Sequence, residues 1–470
     1  MVKRIFTLTI ALLICVFSVI ILSNLLNPKP KYNLVIISVD TLRADHMGVY
    51  GYKKNTTPNI DDWARNATVF TNMHTIIPAT YPSFVILNTG KQPYETGVFN
   101  NGVVDGKIYS GGPPIQNNIT TLAEILKRNG YKTSAFLTNP VLNKEYTNLN
   151  QGFDYYGLES IWGVNDSRKK YREFVLSTPD WIEKNKDNRF FLWVHLMDPH
   201  APYLPSEEEA CRFDEKYCEE IKSKGVYTLE EERKPIEGCA TKEVSQETIG
   251  VYEALYDGAI ATSDDYIGTI IDKIEHLGLD KNTVIILYGD HGEGFDHNYN
   301  FTHTNVLYES STKIPFIISI PNRTGSIKSS LTDNSFIFST ILDILGIKKN
   351  NVGNLLSEPE TNLSNNGYIY TMNVNLSKYA IQNDRYKYIY SATGKSCLYK
   401  EYTQELYDIK NDPKELVNLA NEDRRTLEQL KAMLAEYSNS YFENAEAAED
   451  KNNISPESQG KIEELKSLGY

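Results

Sequence analysis

Basic residues are outnumbered in this chain: 48 Lys and Arg stand against 61 Asp and Glu, a net charge of −13. A nucleic-acid binder carries a basic footprint, so that class is excluded and no nucleic-acid partner is expected. Cysteine is sparse, and the spacing of the 5 cysteines matches no zinc template. No internal repeat is present, which excludes stacked-repeat architectures. Apolar side chains are not lacking: 41% of residues are hydrophobic and 23% charged, ordinary globular values that exclude wholesale disorder. At 470 residues the chain is long enough for a large core and for two or three domains at most.

One long stretch has no charge at all. After Lys3 and Arg4, the run IFTLTIALLICVFSVIILSNLL extends from Ile5 to Leu26. A membrane-spanning helix needs roughly 20 such residues, whereas a signal-peptide core is about 7 to 15 long. No A-x-A cleavage site follows. The reading is a retained signal anchor over 5–26, with residues 1–4 as its cytoplasmic end, 27–32 as a linker and everything beyond extracytoplasmic. A cleaved signal is the alternative, and both place the bulk of the protein across the membrane. Cys15 lies in this run. Cys211, Cys218, Cys239 and Cys397 remain, an even number compatible with two disulfides in an oxidising compartment, and the clustering of the first three favours one local bridge. Nine N-x-S/T sequons agree with an extracytoplasmic, glycosylated chain.

Beyond the linker, NLVIISVD is a continuous apolar run ending in an acid, the pattern of a strand buried on both faces. RFFLWVHLMD (189–198) and NTVIILYGD (282–290) repeat the pattern, and YKTSAFLTN and KIPFIISIP add further strands. Helical stretches fall around Pro58–Ala67, Pro82–Thr89, 119–130 and YEALYDGAIATSDDYIGTIIDKIEHLG. Strands alternating with helices imply an α/β domain with a mostly parallel sheet over 33–350, interrupted by a charged, aperiodic insertion at 206–244. From 351 to 440 the Tyr-rich alternation of GYIYTMNV, YAIQNDRYKYIYS and CLYKEYTQELYDI predicts a small antiparallel sheet, followed by one helix. An acidic tail occupies 441–470.

The chain has 8 histidines, and five of them crowd into HLMDPHAPY and GDHGEGFDHNYNFTHT. Asp40, Asp198 and Asp290 all fall at C-terminal strand ends, where ligands sit in such sheets. Carboxylates from two strands plus an imidazole suit a divalent cation. Thr80, in PATYPSF, sits at the mouth of a helix, where a metal-activated hydroxyl would serve as nucleophile and a plain helix cap is the bland alternative.

Four stretches in order carry a resemblance. NLVIISVDTLRADHMGVYGY with TPNIDDWARNATVFTN, ATYPSFVILNTGKQPYETGV, GDHGEGFDHNYNFTHTNVLYESSTKIPFII and ELYDIKNDPKELVNLA resemble the sulfatase branch of the alkaline phosphatase superfamily across residues 33 to 425. The resemblance implies an alkaline-phosphatase-like sheet and a divalent metal held by Asp40, Thr80, Asp290 and His291. It implies Thr80 as nucleophile, and His200 and His303 at positions that contact the substrate's oxyanion or leaving group. His195, Asp198 and Arg43 are the further candidates for substrate contact.

The departures from the family are chemical. Sulfatases carry Cys or Ser, then Pro and Arg at fixed spacing, and convert the Cys or Ser to formylglycine; here Thr80, Pro82 and Phe84 stand there. Thr41 takes the place of a second acidic calcium ligand, and His291 that of an amide, which shifts preference from calcium toward zinc or manganese. Thr with Asp, Asp and His resembles the phosphoester-processing relatives instead. The expected activity is therefore ester hydrolysis through a covalent Thr80 intermediate, phosphate favoured over sulfate, on an anionic substrate, free or linked to a lipid or glycan. A phospho-group transferase acting on envelope lipids or glycans, a formylglycine-independent sulfatase and a non-catalytic binding ectodomain are the alternatives.

Overall fold

The computed structural model describes residues 32–101, 112–160, 167–213, 215–216, 218–219, 222, 245–297, 303–347, 354–356, 364, 366–391 and 404–452. The apolar run 5–26, most of 206–244, Cys239, Cys397 and Asn300 lie outside the described residues. Among the described residues no helix is long and apolar enough to cross a membrane. Cys211 and Cys218 form a disulfide at the end of the short helix Glu207–Phe213, the local bridge that the clustering favoured.

In chain order the main sheet is built from β1 (Asn33–Val39), β2 (Thr68–His74), β3 (Lys132–Leu137), β4 (Tyr155–Leu158), β5 (Phe190–Leu196), β6 (Thr283–Gly289), β7 (Lys313–Ser319), β8 (Ser326–Lys328) and β9 (Thr332–Asp333). In space the order is β4-β3-β5-β1-β6-β7-β2-β8, with β9 also on β2. β1 is buried at every position, so each of its faces needs a helical cover. Val35, Ile37 and Val39 face a core shared with the long helix Gln246–His276. Leu34 and Ile36 face another, shared with helices Thr80–Thr89, Leu122–Arg128 and Ser335–Ile344. Alternation along one strand thus feeds both outer layers of an α/β/α sandwich.

Parallel pairing sets Val39 opposite both Leu196 on β5 and Gly289 on β6. The residues that follow, Asp40, Met197 and Asp290, leave the sheet at one level along its C-terminal edge. β7 runs antiparallel to both its neighbours, β6 and β2, a reversal that an apolar run readable in either direction does not disclose. In consequence the connection 290–312 starts and finishes at the same sheet edge. β2, which runs with β6, ends with His74 opposite Lys313 and delivers the chain to Thr80 at that edge. This strand was not expected: the helix read over Pro58–Ala67 stops at Ala64, and the half-buried Thr71 and Asn72 break the apolar run where β2 bulges.

The Tyr-rich C-terminal region forms the expected antiparallel sheet: β10 (Ile369–Met372), β11 (Lys378–Gln382), β12 (Tyr386–Ser391) and β13 (Gln404–Asp408). Tyr379, Ile381, Tyr388 and Leu406 pack on Leu427, Leu430 and Leu434 of the helix Arg424–Asn452. That helix continues into the segment read as an acidic tail. The same cluster includes Ile76, Ile77 and Ala79, so the small sheet buttresses the segment leading into Thr80.

Candidate active site

Three acceptor atoms converge at the sheet edge. Ligand atoms of Asp40, Asp290 and His291 lie within 4.8 Å of one another, and all three side chains are fully buried. His291 Nε2 stands 3.7 Å from Asp40 Oδ1 and 3.5 Å from Asp290 Oδ2. Those two carboxylate oxygens have no hydrogen-bond partner, an arrangement that is costly unless something cationic meets it. The His291 Nδ1–H donates to the Gly292 carbonyl at 2.9 Å, so Nε2 presents a lone pair. Two carboxylate oxygens, which only accept when ionised, and one imidazole lone pair fit a divalent cation.

The electrostatics of the cluster agree. Burial pushes the Asp290 carboxyl well above its usual range, and facing Asp40 pushes it further. Burial acts to raise Asp40 too, but His200, His195 and His291 together pull it below the ordinary range. Burial, with His303 beside it, drives the His291 imidazole down to about 3, which keeps it neutral and able to ligate.

Thr80 enters this cluster from the first turn of its helix. Its Oγ1 is 3.3 Å from His291 Nε2. The helix is fixed against β6 through Ser83, whose Oγ donates to the Asp290 carbonyl at 3.0 Å and meets the Tyr288 hydroxyl. Asn334 Nδ2 joins both, at 3.2 and 3.1 Å. The Tyr81 N–H, which the helix itself cannot satisfy, donates to Asn101 Oδ1 at 2.9 Å. Phe84 is buried against Trp193, His195 and Tyr288, so the position that carries Arg in sulfatases is an apolar anchor here.

His303 stacks on His291 at 4.2 Å between ring centroids and lies edge-on to His200 at 5.4 Å. Its Nδ1 meets Glu293 Oε1 at 3.2 Å; burial acts to lower this imidazole, but Glu293 wins and raises it. His200 bonds the Ala201 carbonyl through Nδ1 at 2.6 Å, and burial lowers it. Both therefore carry an Nδ1–H held by the protein. His297 is turned toward the C-terminal region instead, with Nε2 on the Glu415 carbonyl at 2.8 Å.

The remaining sequence candidates are placed differently. Asp198 accepts from Tyr171 Oη and, at 3.2 Å, from Ser263 Oγ on the long helix. Arg43 commits Nε and Nη2 to Asp45 at 2.9 and 2.8 Å and Nη1 to the Glu293 carbonyl at 3.0 Å. It thereby ties the loop after β1 to the loop after β6. Thr41 adopts a left-handed φ of 55°, donates its hydroxyl to the Asp40 carbonyl and gives its N–H to Asp290 Oδ1 at 3.2 Å. His195 meets Asp40 Oδ2 at 3.2 Å. Two participants were missed in the sequence. Asn139 was read only as the end of the strand run YKTSAFLTN, and Glu293 was given no role. The acid two residues after the paired Asp290-His291 was the available signal for Glu293; for Asn139 there was none.

A mostly parallel α/β sheet with carboxylates, an imidazole and a hydroxyl gathered at one strand edge defines an alkaline-phosphatase-like enzyme. Within that class the assignment is specific: the sequence model described as Sulfatase matches residues 32–347, and the chain belongs to the sulfatase family. A second, N-sulphoglucosamine sulphohydrolase, C-terminal, matches 297–440. A sulfatase of Formosa agariphila is 25% identical over 454 residues, covering 86% of each chain. Among solved structures, a 2-O GAG sulfatase superposes with a TM-score of 0.66 at 19% identity, covering 88% of this chain and 93% of its own. The phosphonate monoester hydrolase of Agrobacterium radiobacter superposes at 0.63 and 19% identity, covering 88% and 95%.

Proposed function

We propose that this sulfatase-family hydrolase is metal-dependent, uses the Thr80 hydroxyl as nucleophile and favours phosphoesters over sulfate esters. The observation that carries the reading is the convergence of Asp40 Oδ1, Asp290 Oδ2 and His291 Nε2 beside Thr80 Oγ1. These residues would hold the cation, zinc or manganese before calcium because one donor is an imidazole. When bound, the cation lowers the hydroxyl pKa and offsets the charge of the ester.

The chain's own residues do the rest. Thr80, its hydroxyl proton released to solvent, attacks phosphorus in line through Oγ, forming an Oγ–P bond while the bond to the leaving alcohol breaks. His303, held through Nδ1 by Glu293, gives its Nε2 proton to the departing oxygen, and His200 faces the same space. Water then attacks the phosphothreonine, giving a proton to the now unprotonated His303 Nε2; the Oγ–P bond breaks, phosphate departs and Thr80 is restored. Thr cannot become formylglycine by the sulfatase route and Phe84 supplies no cation, which together favour phosphorus. Fold does not choose between them, since it serves a GAG sulfatase and a phosphonate monoester hydrolase alike. The relatives' names favour a second reading, direct sulfate-ester cleavage by Thr80, with a sugar carrying the ester. The proposal includes anchoring through residues 5–26 with the catalytic domain extracytoplasmic; the Cys211–Cys218 disulfide supports an oxidising compartment.

The test assays the full chain, loaded in turn with Mn²⁺, Zn²⁺ and Ca²⁺, on p-nitrophenyl phosphate, a p-nitrophenyl phosphodiester and p-nitrophenyl sulfate. Phosphoester turnover lost in Thr80→Ala is the expected result. Turnover of sulfate alone overturns the phosphorus preference. Turnover that appears only with an added acceptor alcohol identifies a transferase.

A further inference from the structure

We propose that Asn139 and His195 are positioning residues that hold Asp40 from behind and turn its free oxygen toward the cation, an inference that rests on the metal reading above. Two donors meet on one oxygen: Asn139 Nδ2 lies 2.6 Å and His195 Nε2 3.2 Å from Asp40 Oδ2. The other oxygen, Oδ1, has none, although it is buried. It is the oxygen on the His291 side. A carboxylate with one oxygen tied twice has lost its freedom to rotate, and its second lone-pair set points at one place.

The donors are themselves fixed. An ionised carboxylate only accepts, so His195 Nε2 carries a hydrogen whatever the state of the ring. Its Nδ1 meets Ser38 Oγ at 3.0 Å, and Ser38 Oγ accepts the Trp193 indole N–H at 2.9 Å. Both ring nitrogens of His195 are thus engaged inside the protein and neither remains for a substrate. The Phe84 ring closes one face at 4.9 Å, edge-on. The Asn139 amide also has a defined orientation, because its Oδ1 accepts the Val141 N–H at 3.0 Å. The nitrogen is left for Asp40, and it also reaches Thr80 Oγ1 at 3.5 Å. Asn139, at the end of β3, therefore spans the ligand carboxylate and the nucleophile, and the row Trp193–Ser38–His195 continues it across β1 and β5.

Partners of this kind typically govern metal affinity by 10- to 100-fold. The measurement is isothermal titration of the metal-stripped full chain with Mn²⁺, beside the melting temperature of each stripped variant. Asn139→Ala and His195→Leu should each weaken Mn²⁺ binding about 10- to 100-fold, while His195→Gln, which keeps an N–H donor, should recover most of it. Ser38→Ala removes one oxygen far from the cation and decides the matter if the larger changes unfold the chain: several-fold weaker binding supports the proposal. Folded variants that bind Mn²⁺ as the parent does overturn it, leaving the metal reading intact. A parent that binds neither Mn²⁺ nor Zn²⁺ overturns both.

Discussion

At Thr80 one oxygen decides the chemistry. Thr80→Ala should lower turnover about a thousandfold or more and, by removing one oxygen beside the cation, also weaken Mn²⁺ binding, measured by steady-state kinetics and titration on the same preparations. Asp198 gives a prediction of a different kind. Burial pushes its carboxyl up to about 6, against hydrogen bonds from Tyr171 and Ser263 that act to lower it. The native state therefore holds a proton that the unfolded chain releases near pH 4, so this group's contribution is present below that pH and lost as pH rises through about 6. Asp198→Asn keeps an acceptor and removes the titration; urea unfolding at pH 4 to 7 should show a shallower fall, by up to ~3 kcal/mol. At this scale the sequence disclosed Asp40, Asp290 and His291 because acids at the ends of buried strands are conspicuous. Asn139 was not legible, since its place beside Asp40 depends on β3 pairing with β5 and β5 with β1, and no local pattern encodes that.

The elements impose their own demands. Gly292 follows His291, and a Cβ there would stand 1.9 Å from the Ser310 carbonyl oxygen. Gly292→Ala must push the loop after β6 away from the strand end; both thermal stability and Mn²⁺ affinity should fall, read by melting and titration. Phe84, wholly buried between the helix and the sheet, should cost about 3–5 kcal/mol as Phe84→Ala in urea unfolding. The central strands were readable because each is apolar on both faces, the pattern of a strand covered by helices on either side. β2 and the direction of β7 were not. A strand's polarity depends on its neighbours' hydrogen-bond ladders, and Thr71 and Asn72 at the β2 bulge hide the periodicity.

Across the whole molecule, Lys387 of β12 is fully buried with Nζ 3.1 Å from both Glu309 and Glu415. Glu309 belongs to the connection that carries His303, and it also meets His74 at 3.2 Å. Lys387→Met would leave the buried Glu415 carboxylate facing the largely buried Glu309, which should cost about 3–5 kcal/mol in urea unfolding. The small antiparallel sheet was legible in the Tyr alternation, but its task of buttressing the catalytic edge was not, because the contacting residues are far apart in sequence. The reversed β7 has a further consequence for variation over time. Because the connection it closes is hemmed to the sheet at both ends on one side, its middle can lengthen, shorten or change character without unthreading a strand. Such a seam lets the connection vary in length while Asp40, Asp290 and His291 keep their places at the strand ends.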